Sequence, residues 1–169
     1  MTNGSVWMIA ARDRVPSVPI RLVDASGVSD STSDAVLSSG LVVFFTVPGA
    51  FTPTCHLNHL PGFLANADRL EAAGVQRIVC GTVNDHHVVR SWAEASGALG
   101  IVDFIADPHA RLAIALGLDR ETADLGVRFR RSALLIRDGV IEAVFTEDAP
   151  GVNATGAPAI LMALEAVAS

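Results

Sequence analysis

The chain has 169 residues, half of them hydrophobic, a net charge of −6 and two cysteines. This is the size of one domain with a full core, read here as a single domain over residues 1–169. The acidic balance speaks against nucleic acid as a partner. No apolar run approaches the roughly 18 residues of a membrane span, and so few cysteines build no disulfide framework. The N-terminal "MTNGSVWMIAARDR" has no basic stretch leading into an apolar one, so the expected location is the reducing cytoplasm.

Taken in order, "SVPIRLVDASG" predicts a strand ending in a turn, and the Ser-rich "DASGVSDSTSD" a loop. "LVVFFTV" (Leu41–Val47) and residues 75–83 are continuous apolar, β-branched runs, as in strands buried on both faces. Residues 53–73 between them are long enough for one helix, stopped by Gly74, which makes a βαβ unit. "NDHHVVRSWAEASGA" predicts a second helix capped by Asn84 or Asp85, "IVDFIAD" a strand, and "PHARLAIALGL" a short helix starting at its proline. Asp138-Gly139 between apolar runs marks a hairpin, and "APAILMALEAVAS" a last helix with Pro158 in its first turn. The sum is an α/β protein of thioredoxin-like arrangement, a central mixed sheet flanked by helices.

The chemistry is expected where the strand Leu41–Val47 ends, because ligand sites of open α/β sheets lie at the carboxyl ends of strands. Thr52 suits an N-cap and Pro53 the first helical position, so Cys55 falls in the first turn, with unsatisfied N–H groups and the positive end of the helix dipole beside its sulfur. These favour the reactive thiolate. Pro61, deeper in the helix, leaves the carbonyl of Leu57 without its helical partner and bends the helix. An ordinary thiol is a few per cent ionised at neutral pH, so complete ionisation gains about thirtyfold, or about 2 kcal/mol. A helix N-terminus contributes about 0.3–2 kcal/mol. A fast thiol therefore needs a cation and donors aimed at the leaving atom.

Pro48, Thr52 and Cys55 form P-x-x-x-T-x-x-C, and "PGAFTPTC" with "HLPGF" resembles the peroxiredoxin-5 subfamily, which includes the plant type II enzymes. The similarity continues through "CGTVND", Trp92, "ALGL", "LGVRFRRSALLIRDG" and Glu147. The resemblance implies that Cys55 is the peroxidatic cysteine, that Thr52 hydrogen-bonds the peroxide, that Pro48 shields the thiolate, and that Arg131 is the missing cation. It implies a thiol peroxidase acting on hydrogen peroxide and alkyl hydroperoxides. An external thiol reduces the enzyme, either glutathione with glutaredoxin or thioredoxin, and the protein is a homodimer with Trp92 and the loop at residues 48–51 at or near the contact. No cofactor and no metal are called for. The alternative is a thioredoxin-fold redox sensor or binding protein that turns over slowly.

Two departures stand out. Ala154 occupies the place of the resolving cysteine that some members carry, and His86 and His87 replace an apolar pair, near the site mouth or a dimer face. The other features have plainer readings. Cys80 in an apolar strand is a small hydrophobe. Cys55, His56 and His59 could be taken for a metal tripod, but the histidines are expected to point along different parts of the helix from the cysteine. Arg128 and Arg130 are expected as a solvated charge cluster.

Overall fold

The computed structural model describes residues 7–168. Residues 1–6, read above for a secretory signal, and Ser169 at the end of the expected last helix lie outside them. The sheet has seven strands: β1 (Pro19–Asp24), β2 (Gly27–Thr32), β3 (Leu41–Val47), β4 (Arg77–Thr82), β5 (Asp103–Ala106), β8 (Ser132–Arg137) and β9 (Val140–Thr146), in the order β2-β1-β5-β4-β3-β8-β9. β3, β4 and β5 run parallel, and the remaining pairs are antiparallel. β6 (Asp119–Thr122) and β7 (Gly126–Phe129) form a separate hairpin. The thioredoxin-like α/β architecture is as expected.

β3 is the centre of the molecule, and all seven of its residues are buried. Its alternation divides the core. Val43, Phe45 and Val47 pack with Cys55, Phe63, Trp92 and α6 (Ala157–Ala168) on one face, while Val42 and Phe44 pack with Leu37, Leu116 and Phe129 on the other. Burying both faces is why the run reads as continuously apolar.

Several segments differ from expectation. The Ser-rich stretch is not a loop but the edge strand β2 followed by α1 (Ser33–Leu37). Ser29 and Asp30 face solvent on an edge, so no apolar alternation marks the strand; Gly27, with φ +123°, makes the turn into it. The helix expected at residues 53–73 is three pieces: a first turn that passes into a π-helical turn at Cys55–His59, then α2 (Leu60–Ala65), then α3 (Ala67–Ala72). The Asn66 amide donates to the Gly62 carbonyl at 2.8 Å, and its backbone leaves the helical region there. Gly74 ends α3 as expected: its N–H bonds the Glu71 carbonyl and Val75 N–H the Leu70 carbonyl, a Schellman closure. α5 (Arg111–Leu116) starts three residues beyond Pro108, where the buried Asp107 carboxylate accepts from Leu112 and Ala113 N–H. α4 (His86–Ala95) is capped by Asp85, which accepts from His87 and Val88 N–H.

Candidate active site

Cys55 is fully buried at the C-terminal end of β3, in the first turns of the helix that follows. The loop between is held from three sides. Thr52 Oγ1 donates to the Gly49 carbonyl at 2.7 Å, so the hydroxyl folds its own turn instead of capping the helix, and its lone pairs remain as acceptors. The Thr52 carbonyl accepts His56 N–H at 2.8 Å. Asn84 Oδ1 accepts from Ala50 N–H and from Thr82 Oγ1, which ties the loop to the end of β4. Arg128 is not a solvated charge. Its Nε donates to the Leu125 carbonyl, and one Nη donates to the carbonyls of Val83 and, at 3.4 Å, Pro48. Phe51, at φ +62°, sits in a left-handed conformation unusual for a bulky residue, next to the reactive turn.

Arg131 arrives from the other side of β3. The antiparallel register pairs Thr46 with Ser132, and Thr46 Oγ1 also donates to the Arg130 carbonyl at 2.7 Å. The residue between them is thereby fixed beside the end of β3. One Nη of Arg131 donates to Cys55 Sγ at 3.1 Å and the other to His59 Nδ1 at 2.8 Å. Pro48, Thr54 and Arg131 line a cleft of about 540 Å³ that also takes in Arg120, Arg130 and Glu147.

His59 is the site residue that the sequence reading passed over. It shares the Arg131 guanidinium with Cys55, so the two residues face one group and not different parts of the helix. Their spacing of four residues already implied a common face. His59 Nε2 meets the Thr155 carbonyl at 2.9 Å, so neither His59 nitrogen is left for a metal. His56 Nδ1 accepts from Trp92 Nε1–H at 3.1 Å, under the ring of Phe51.

The His59 pKa is pushed down to about 4, by burial first and by the Arg131 charge, against the Thr155 carbonyl and Glu147, which raise it. The ring is therefore neutral, as an acceptor for Arg131 must be. The unfolded chain takes up this proton as the pH falls below 6.5, whereas the fold resists until about 4. Stability is complete above the first value and is lost progressively towards the second. Urea unfolding should show a loss of about 2 kcal/mol between pH 7 and pH 5 that His59→Asn lacks. Equal losses in both proteins would place the proton uptake elsewhere.

Cys80 lies mid-β4, paired in register with Phe45 and Phe104, and is as buried as Cys55. Burial, and then the Cys55 charge, push its thiol well above the ordinary range, with Arg131 acting the other way. Of the unusual histidine pair, His86 lines a different cleft with Asp107 and His109, and the two rings lie 4.1 Å apart. Trp92 is fully buried within the chain.

A buried cysteine in a first helical turn, with a guanidinium on its sulfur and a thioredoxin-like sheet behind it, defines a thiol-based oxidoreductase. Residues 10–161 match the Redoxin family. Over 94% of its length the chain is 41% identical to "Peroxiredoxin-2E-2, chloroplastic" of Oryza sativa subsp. japonica, covering 74% of that protein. It is 38% identical to "Peroxiredoxin-2B" of Arabidopsis thaliana, over 92% of this chain and 98% of the relative. The crystal structure of reduced Prx3 in complex with hydrogen peroxide from Vibrio vulnificus superposes with a TM-score of 0.87 at 36% identity, covering 93% of this chain and 99% of that one. The chain belongs to the peroxiredoxins, in their type II group, and is a thiol-dependent peroxidase. Among the described residues no helix is long and apolar enough to cross a membrane.

Proposed function

We propose that Cys55 is the peroxidatic residue, with Arg131, Thr52 and Pro48 as its partners, and that glutathione, with glutaredoxin, or thioredoxin closes the cycle. The observation that carries this reading is the 3.1 Å bond from Arg131 to Cys55 Sγ in a buried site. The thiolate attacks the terminal oxygen of a hydroperoxide, the O–O bond breaks, and HO is transferred to sulfur. The product is the sulfenic acid, and the departing alkoxide or hydroxide takes up a proton to leave as alcohol or water. Arg131 holds the thiolate, and its remaining N–H groups face the charge that moves onto the leaving oxygen. Thr52 has lone pairs free to accept the peroxide O–H, and Pro48 lines the mouth. One thiol then condenses with the sulfenic acid, releasing water and forming a mixed disulfide, and a second restores Cys55.

The guanidinium groups of Arg120 and Arg130 line the same cleft without a hydrogen bond or ion pair among the described residues. Asp119, Glu147 and Asp148 line it too, so the cleft presents both signs of charge to an incoming thiol. A steady-state peroxidase assay comparing glutathione with glutaredoxin, thioredoxin and a small dithiol tests the proposal. Peroxide consumption with the protein and excess thiol is the expected result, and none with any of the three would refute it. A homodimer is supported by the exposed apolar side chains of Phe51, Leu57 and Leu125, on the reactive turn and the neighbouring hairpin; Phe51, not Trp92, is the side chain from this region that reaches the surface. The location proposed is the cytoplasm, on the two-cysteine composition.

A further inference from the structure

Glu147 stands just past the end of β9, and its carboxylate accepts four hydrogen bonds from the loop that follows. Oε2 accepts from Asn153 N–H (2.9 Å), Thr155 N–H (2.8 Å) and Thr155 Oγ1 (2.6 Å), and Oε1 from Ala154 N–H (3.1 Å). These four bonds, three of them on Oε2, close residues 147–155 into a loop. The loop presents the carbonyl of the fully buried Thr155 to His59 Nε2. A carbonyl can only accept and a guanidinium can only donate. His59, placed between the two, therefore has a single neutral tautomer, with its proton on Nε2 and its lone pair on Nδ1 facing Arg131. The other Nη of Arg131 is the one on Cys55 Sγ.

We infer that Glu147 is a positioning residue for peroxide reduction: through the Thr155 carbonyl it fixes the His59 tautomer, and through His59 it aims Arg131 at Cys55. The inference rests on Arg131 being the donor to the thiolate. If the loop loosens, the Arg131 donor at Nδ1 is the one contact left that holds the proton on Nε2. With the proton on Nδ1, two donors would face each other across 2.8 Å, and the guanidinium would be driven off the sulfur. No ion pair joins Glu147 directly to Arg131 among the described residues, so the connection runs through the loop.

The sign of one measurement separates this role from plain electrostatics. If Glu147 acted only as a charge, its removal would favour the thiolate, and the pH–rate profile for hydrogen peroxide would move to lower pH. The positioning role demands the opposite for Glu147→Gln: a profile moved to higher pH and a second-order rate constant lowered at least about tenfold, the scale of a misplaced catalytic group. Thr155→Val, which removes one of the four bonds and keeps the carbonyl, should show a smaller change in the same direction. Nitrogen NMR of His59 in the unmodified protein reads the tautomer without any variant, and a protonated Nδ1 would overturn the inference outright. So would a folded Glu147→Gln protein with an unchanged rate, or a profile moved to lower pH. If Arg131→Met left the rate intact, the reading of Arg131 would fall; if Arg131→Met collapsed the rate and Glu147→Gln did not, only the positioning role would.

Discussion

Arg131→Met is expected to lower the second-order rate constant with hydrogen peroxide at least about 100-fold, the scale for losing one transition-state donor. Methionine keeps much of the aliphatic stem, so the fold should survive, while the bonds to Cys55 Sγ and His59 Nδ1 are both lost. Two effects combine in the loss. A smaller thiolate fraction costs at most about thirtyfold at neutral pH, and this part disappears once the pH is high enough to ionise the thiol. The donor to the leaving oxygen is lost at every pH. Rates measured up to the alkaline plateau therefore separate the two, and the variant should remain well below the parent on the plateau. If the two proteins converged there, Arg131 would serve only to ionise the thiol.

The strands and the cysteine were legible because their signals are local. β3 is buried on both faces, so its whole run is apolar, and Cys55 follows within a short turn rich in special residues. Arg131 was reached through the resemblance; its physical placement depends on the register of Thr46 with Ser132, which pairs positions 86 residues apart. What stayed hidden is what contact at a distance creates. His59 acquires its role from a carbonyl 96 residues on, and Arg128 from three carbonyls in three different segments. β2 and β6 are mostly polar, and nothing in their patterning separates them from loops, while β7 alternates Val127 and Phe129 over a run of only four residues. The π-helical turn lies just ahead of Pro61, whose missing N–H was the visible clue to an irregular helix there; the widened Leu60 N–H to Cys55 carbonyl bond is how the irregularity is accommodated.

Cys55→Ser should abolish peroxidase turnover with external thiol, while Cys80→Ser should leave it nearly unchanged. Exchange and peroxide attack both need a thiolate. The Cys80 thiol is fully buried in β4, and burial holds it in the protonated form. Nor does the loop before α6 offer a partner, because residue 154 there is alanine and the loop carries no cysteine. The sulfenic acid on Cys55 consequently has no thiol in its own chain with which to condense. It should last long enough for capture by a dimedone-type reagent, form a mixed disulfide when glutathione is added, and pass on to sulfinic acid at high peroxide. Intact-mass spectrometry follows all three species in one titration. A stoichiometric Cys55–Cys80 disulfide after peroxide treatment of the pure protein, together with loss of turnover in Cys80→Ser, would show that the strand opens to deliver its cysteine and that two cysteines, not one, carry the cycle.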